Sequence, residues 1–272
     1  MNGFKSVWAA LTVVGLLTVN TACAQAPAKN EYQPEVGQAG KDVIWVPTPE
    51  ALIDKMLSMA KVTPNDFVID LGSGDGRTVI AAAKKGATAE GIEYNPDMVA
   101  HAIKRAADAG VTAKAKFMKA DIFESDFSKA SVITMYLLPE LNLRLRPKLL
   151  DMKPGTRLVS HAFTMGDWDP DEQAEVEGRR AMMWIVPAKA QGNWSVKGAG
   201  QYEVSLTQQF QKLSGTVRQG GFSTKIDDGR VAGDVVSFAF VDARGAKQTF
   251  SGKIAGNRIE GSGASKWTAE CK

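Results

Sequence analysis

Three carboxylates and three glycines carry the chemistry that this sequence offers. Asp70 closes the apolar run Phe67-Val68-Ile69, and Gly72, Gly74 and Gly76 follow at alternate positions before Arg77. Glu93 closes a second run, Ala89-Glu90-Gly91-Ile92, and Asp121 follows a third, Ala115 to Lys119. Alternating glycines make a tight turn where backbone can approach a ligand, and a helix that follows offers free N–H groups. A dinucleotide fingerprint needs G-x-G-x-x-G, but Arg77 holds the place of its third glycine, and the glycine comes one residue early, at Gly76. An acid two residues before Gly72 faces a ligand carrying a cation rather than a pyrophosphate. An acid ending the second strand is placed to accept both hydroxyls of a ribose. The plainer descriptions are a glycine turn without a ligand and three solvated loop acids; an acid after each of three successive strands weighs against both.

These residues need rigid elements beneath them. From residue 67 apolar runs alternate with amphipathic stretches such as Thr78-Val79-Ile80-Ala81-Ala82-Ala83, which implies an α/β, doubly wound parallel sheet with its ligand at the carboxyl ends of the strands. Before it, Thr48 reads as an N-cap with Pro49 at the first helical position, and Leu52, Ile53, Met56 and Leu57 share one helical face. Asn95-Pro96-Asp97 opens a helix that runs to Ala109. Further strands are expected at Ala130 to Tyr136, Thr156 to His161 and Ala181 to Val186. The segment Phe163 to Pro170 bridges the last two, and its Trp168 either covers the site or packs under its own loop. Past Pro187 the period changes to two: Tyr202, Val204 and Leu206 alternate, as do Phe222, Thr224 and Ile226, then Val236, Phe238 and Phe240. Turns at Asp227-Asp228-Gly229, Ala243-Arg244-Gly245 and Ala255-Gly256-Asn257 complete six to eight short strands, an antiparallel sandwich or small barrel over 192–272. Its alternating rows are first a core, with a ligand in the mouth as the alternative.

The ends and the composition narrow the class. Residues 1–24 read as a signal peptide: Lys5 is the only charge, Val7 to Val19 is apolar, and Ala22-Cys23-Ala24 forms a cleavage pattern before Gln25. The chain is therefore expected to be exported, periplasmic or envelope-associated, with membrane association only if this segment is retained or lipidated at Cys23. Residues 25–42 read as a polar linker and 43–188 as the α/β domain. With 272 residues, 44% of them hydrophobic, the chain is long enough for one sizeable domain or two modest ones, with ample core. A net charge of +3 without basic runs gives nucleic-acid binding no support. Two histidines, His101 and His161, and a single mature cysteine, Cys271, cannot assemble a zinc site from His and Cys, and there is no P-loop or G-x-S-x-G elbow.

With Asp70-Leu71-Gly72-Ser73-Gly74-Asp75-Gly76, the glycine turn resembles the first motif of class I S-adenosylmethionine-dependent methyltransferases. Together with Val46-Pro47-Thr48-Pro49, Tyr136-Leu137-Leu138-Pro139 and Lys153-Pro154-Gly155-Thr156, it resembles bacterial relatives of the mitochondrial protein-lysine methyltransferases of the ATP synthase c-subunit and adenine nucleotide translocase type, over about residues 43 to 187. The resemblance implies S-adenosylmethionine as cofactor. Asp70, with help from N–H groups of the glycine turn at Gly72, Ser73, Gly74 and Gly76, would then hold its methionine part, Glu93 its ribose, and Asp121 with the backbone of Ile122 its adenine. Tyr136 and the Leu-Pro-Glu turn, with Pro139 and Glu140, would form the transfer face. His161 lies close by, as a strand-end residue or as a base. The function implied is methyl transfer to an acceptor nucleophile, with a protein lysine amine among the candidates. A small-molecule N, O or S acceptor, or an exported binding protein without turnover, stays open; adenine or amide nitrogen is disfavoured, because no Asn/Asp-Pro-Pro-Tyr turn follows the fourth strand.

Overall fold

In the computed structural model of the chain, Met1, Gly3 and residues 32–262 and 266–272 are described. The chain divides between Tyr32 and Gln33 into two units, and the larger, Gln33–Lys272, holds every helix and strand among the described residues. Apart from Met1 and Gly3, the expected signal peptide lies outside the described residues, as do residues 25–31 of the expected linker.

The α/β part contains β1 (Phe67–Leu71), α2 (Arg77–Lys84), β2 (Thr88–Glu93), α3 (Pro96–Asp108), β3 (Ala115–Lys119), β4 (Val132–Met135), α4 (Pro139–Leu150), β5 (Arg157–His161), β6 (Glu172–Val176) and β7 (Arg179–Ile185), preceded by α1 (Glu50–Met59). Its seven strands lie in the order β3-β2-β1-β4-β5-β7-β6. The first five are parallel; β7 runs antiparallel to β5, and β6 to β7. Strand order reverses between β1 and β4, which opens the crevice where such sheets bind ligands. Near-continuous apolar strands are needed because both faces are covered. Val68, Val132 and Val159 point into one layer with Leu52, Met56, Val79 and Ala83 of α1 and α2. Ile69, Ile133 and Leu158 point into the other, with Leu145 and Leu149 of α4.

Local chemistry explains where the sequence-based elements shift. Asn95 caps α3, its side chain accepting from the Asp97 and Met98 N–H groups. Thr48 does not cap α1; Pro49 takes that place in extended conformation, and the buried Thr48 hydroxyl meets His161 instead. Strand β6 carries no apolar run because it is the exposed edge of the sheet, joined to β7 by Glu177-Gly178, both with positive φ. Trp168 neither covers the site nor sits under its own loop. It is fully buried in the α4-side core, against Trp184 at 6.3 Å and stacked on Phe210 at 5.7 Å.

Among the described residues nine strands follow: β8 (Gly192–Lys197), β9 (Tyr202–Gln209), β10 (Lys212–Gln219), β11 (Phe222–Lys225), β12 (Asp227–Ala232), β13 (Val235–Val241), β14 (Lys247–Ala255), β15 (Arg258–Gly261) and β16 (Thr268–Cys271). Antiparallel pairing runs β10-β12-β13-β14-β15-β16-β8-β9 and returns from β9 to β10, so eight strands close into a barrel and β11 hangs from β10. Side chains fill an eight-stranded barrel. Here Phe250 stacks on Phe238 at 5.3 Å and Phe240 at 5.6 Å and meets Trp267 edge-on at 5.2 Å. Asp227-Asp228-Gly229 is not a turn but an irregularity inside β12, where the register slips and Asp228 has φ 52°. The connector from β7 to β8 is buried at Val186, Pro187, Ala188 and Ala190, and the Ala188 N–H donates to the Gly233 carbonyl at 2.8 Å.

Phe250→Ala removes the ring that the other barrel aromatics pack on, and should lower barrel stability by about 3–5 kcal/mol. Urea unfolding followed by tryptophan fluorescence reads this directly; a midpoint equal to that of the unaltered chain would mean that the barrel closes without its aromatic centre.

Candidate functional site

A cavity of about 320 Å³ opens at the carboxyl ends of β1, β2, β3 and β4. Its wall includes Asp70, Gly72, Ser73, Gly74, Glu93, Asp121, Ile122 and Tyr136, so eight of the twelve expected residues meet there. The other four stand off it. Gly76 (φ 78°) precedes α2, and a Cβ there would lie 2.7 Å from the Phe117 ring, so this glycine serves helix packing rather than a ligand. Pro139 and the exposed Glu140 form the first turn of α4, where an acid complements the helix dipole. His161 lies behind Tyr136, 1% exposed.

Asp70 is buried at the end of β1 and accepts a 2.6 Å hydrogen bond from the hydroxyl of Thr134, its register partner on β4. Burial pushes its carboxyl up to about 7; the Thr134 bond opposes this, while the Asp75 and Glu93 charges add to it. Glu93 accepts the N–H of Gly74 and of Asn95, both at 2.9 Å. Asp121 accepts the Phe123 N–H at 2.9 Å and pairs with Lys41, which holds its carboxyl below the usual range. The glycine turn offers fewer free donors than the resemblance implies. The Gly72 and Ser73 N–H groups go to the Ile92 carbonyl at 2.9 and 3.0 Å, and that of Gly76 to Ser73. The turn therefore shapes the wall more than it supplies hydrogen bonds.

On the β4 side the Tyr136 ring lies between His161, 3.7 Å away, and Phe163, 5.8 Å away. The Nδ1 of His161 shares a 3.0 Å hydrogen bond with the Thr48 hydroxyl. Burial, with the Arg179 charge, pushes the imidazole down to about 4, so it is neutral at pH 7 and holds the Tyr136 ring instead of facing the cavity. Leu137, Leu138, Leu141 and Phe163 complete an apolar wall.

Sequence reasoning allowed the Pro47-Thr48-Pro49 turn to wall a cofactor site, and Pro47 and Thr48 do line the cavity, but it missed the rest of the cover. Gln38 to Thr48 line the cavity, including the last five residues of the expected linker. The Gly37 N–H donates to the Trp45 carbonyl and the Trp45 N–H to the Gln38 carbonyl, closing a narrow loop that sets the Trp45 indole nitrogen 2.5 Å from where a Cβ of Gly74 would lie. It also missed Asp75, held by Arg77 at 2.8 Å and by Arg105, with Arg77 reaching the Thr48 carbonyl at 3.2 Å. Of these only the apolar Val43-Ile44-Trp45-Val46, too rich for a linker, left a signal.

The donor set fits a sulfonium amino-acid nucleoside. Buried Asp70 suits a cation, Glu93 a diol and Asp121 an amine, and the buried Ser73 hydroxyl on the same wall has no partner among the described residues. The chain matches the family described as ANTKMT methyltransferase domain over residues 70–172. It is 46% identical over 138 residues to a protein-lysine N-methyltransferase of Saccharolobus islandicus, covering 50% of this chain and 86% of that one. It is 33% identical over 179 residues to the ATP synthase c-subunit lysine N-methyltransferase of mouse, 64% of this chain and 71% of that one. For the human protein of that name the figures are 38% over 128 residues, and only 54% of its length is spanned.

This chain belongs to the ANTKMT methyltransferase family. A solved structure described as an RNA methyltransferase from Salinibacter ruber, bound to S-adenosyl-L-homocysteine, is 47% identical with a TM-score of 0.52, over 53% of this chain and 95% of that one. As a member of the family, the protein is a class I methyltransferase that uses S-adenosylmethionine.

Asp70 also carries a pH signature. Its folded pKa lies above the ordinary carboxylate value of 3.8, so the fold favours the protonated form. Its contribution is fully favourable below 3.8 and is lost as pH rises through about 7. Asp70→Asn should therefore melt progressively higher than the unaltered protein between pH 4 and pH 7, the gap levelling off above that. A gap that stays constant over this range in ligand-free thermal melts would contradict the burial argument.

Proposed function

We propose that this protein transfers the methyl group of S-adenosylmethionine to the ε-amine of a protein lysine. The observation that carries the reading is the division of one cavity into two walls: carboxylates at the ends of β1, β2 and β3, and an apolar, aromatic wall after β4. In this reading Asp70 receives the α-ammonium of the methionine part, Glu93 the ribose hydroxyls, and Asp121 with the Ile122 N–H the adenine. The cofactor supplies an electrophilic methyl on a sulfonium whose departure leaves a neutral thioether. The protein's task is then to align donor and acceptor, and to present the acceptor amine without its proton. An ammonium entering between Tyr136, Leu138, Leu141 and Phe163 loses its water, which lowers its pKa and favours the neutral, nucleophilic form. With His161 withdrawn behind Tyr136 and Glu140 outside, no side-chain base is assigned. The relatives named as lysine N-methyltransferases support an amine on a protein as acceptor. The N-terminal sequence pattern supports an envelope location, and a reporter active only when fused in the cytoplasm would reject it.

Lys41 pairs with the Asp121 carboxylate, so cofactor binding must share or replace that partner. Asp70→Ala and Glu93→Ala should each weaken S-adenosylhomocysteine binding by about 1–3 kcal/mol in isothermal titration, for loss of a charged hydrogen bond. Tyr136→Ala should leave that affinity in place and slow methyl incorporation. Labelled S-adenosylmethionine incubated with the protein and a membrane-plus-soluble extract should label protein; label found only in small molecules would reject the lysine acceptor.

A further inference from the structure

The barrel meets the α/β part through a hairpin turn that is unusual for its residues. Between β9 and β10 the turn consists of Phe210 and Gln211, flanked by the pair Gln209 and Lys212. Phe210 has φ 53°, a conformation that hairpin turns normally give to glycine or asparagine. Gln211, at a turn tip that would ordinarily be solvated, is 2% exposed. Strain and burial together at a turn imply that its side chains are needed where they are.

Both side chains hold the loop that leaves β5. Phe210 stacks on Trp168 at 5.7 Å with ring planes 15° apart. The Gln211 amide donates to the Asp169 carbonyl at 2.6 Å, Lys212 pairs with the Asp169 carboxylate at 2.5 Å, and Arg230 of β12 pairs with Asp171. Arg146 of α4 completes the clamp. Its guanidinium lies 5.3 Å from the Phe210 ring and donates to the Met165 carbonyl at 2.8 Å. Two residues before Met165 is Phe163, which lines the cavity and stacks against Tyr136. Its own carbonyl is held by the Ser160 hydroxyl at 2.8 Å.

We propose that the barrel is a buttress for the acceptor wall: through the Phe210-Gln211 turn it fixes the 163–171 loop, and through that loop the Phe163 and Tyr136 rings. Phe210 is a positioning residue in this arrangement and touches neither cofactor nor acceptor. The inference rests on the reading of Tyr136 and Phe163 as the acceptor side. It gives the barrel, whose interior is filled by its own aromatics, a part in the methyl transfer of the domain before it.

The test uses the full chain with Phe210→Ala, Phe210→Gly and Phe210→Tyr, read by hydrogen exchange of 163–171, S-adenosylhomocysteine titration, and incorporation of labelled methyl into the same extract. Alanine and glycine should speed exchange in the loop and lower incorporation roughly ten- to a hundredfold, the scale of a misplaced reacting wall. Cofactor affinity should stay within about twofold, on that same argument that only the acceptor wall moves. Tyrosine, which keeps the stack, should restore both exchange and rate. Glycine, which relieves the positive φ, should lose rate without melting below alanine. Unchanged loop exchange in the alanine and glycine variants overturns the buttress, as does a cofactor affinity that falls in step with the rate. Should the unaltered protein bind no S-adenosylhomocysteine, the functional reading fails, while loop exchange still decides whether the turn is a clamp.

Discussion

A carboxylate with almost no access to water sits at the point where this sheet reverses its strand order, and the arrangement around it follows from the need to tolerate that group. Asp70 lies near the carboxyl end of β1, paired with Thr134 of β4, with a hydrogen bond from that residue's hydroxyl and two further acids, Asp75 and Glu93, close enough to resist its ionisation. Those acids are themselves bound: Asp75 by two arginines, Glu93 by two backbone N–H groups. Asp70 has hydroxyl partners instead, and these do not offset its burial. A cationic ligand beside it would offset, by charge attraction, the desolvation penalty that an ionised Asp70 carries, so the site favours the charge type the ligand brings. Three acids lie close together in one crevice, and the protein's own donors satisfy the two that flank Asp70 better than Asp70 itself.

Much of this was legible because it is periodic or punctuated. Strand β1 is an unbroken apolar run because both its faces are covered, and Asn95-Pro96-Asp97 starts α3 by local hydrogen bonding alone. The alternation from Tyr202 onward survives because a small barrel has one dry side. The family was visible in the glycine turn and its neighbours, and the match over residues 70–172 bears it out. What escaped lacks a local signature. The edge strand β6 is polar because solvent covers it, and Asp228 distorts β12 instead of ending it. The cover formed by Gln38 to Val46 depends on where the crevice lies, which no local pattern encodes. The resemblance, in turn, implied glycine-turn N–H groups free for the cofactor, and the fold spends those of Gly72, Ser73 and Gly76 on the Ile92 and Ser73 carbonyls.

His161 shows how a residue type misleads without its surroundings. A histidine at the end of a strand near a crevice invites the role of base, yet burial beside Arg179 removes the basicity that the role requires. The same burial suits it to another task. A neutral imidazole 3.7 Å from the Tyr136 ring packs as an aromatic surface, and its Nδ1 ties that stack to Thr48, whose carbonyl is held by Arg77 from the start of α2. A continuous set of contacts therefore runs from Asp75 in the glycine turn to the aromatic wall after β4.

The two walls of the cavity thus depend on supports of different kinds. The carboxylate wall is built into the sheet: its residues end strands whose register is fixed by parallel neighbours, and a shift there would unpair a ladder. The aromatic wall has only β4 and β5 behind Tyr136 and His161, and Phe163 already lies in a loop. The 162–171 loop contributes Met165 and Trp168 to the apolar cluster on the α4 side of the sheet. Phe210 enters the same apolar cluster from the barrel and completes it. The core layer on which the aromatic wall rests is therefore shared between the α/β part and the barrel, and it includes a ring, Phe210, that the α/β part does not itself contain.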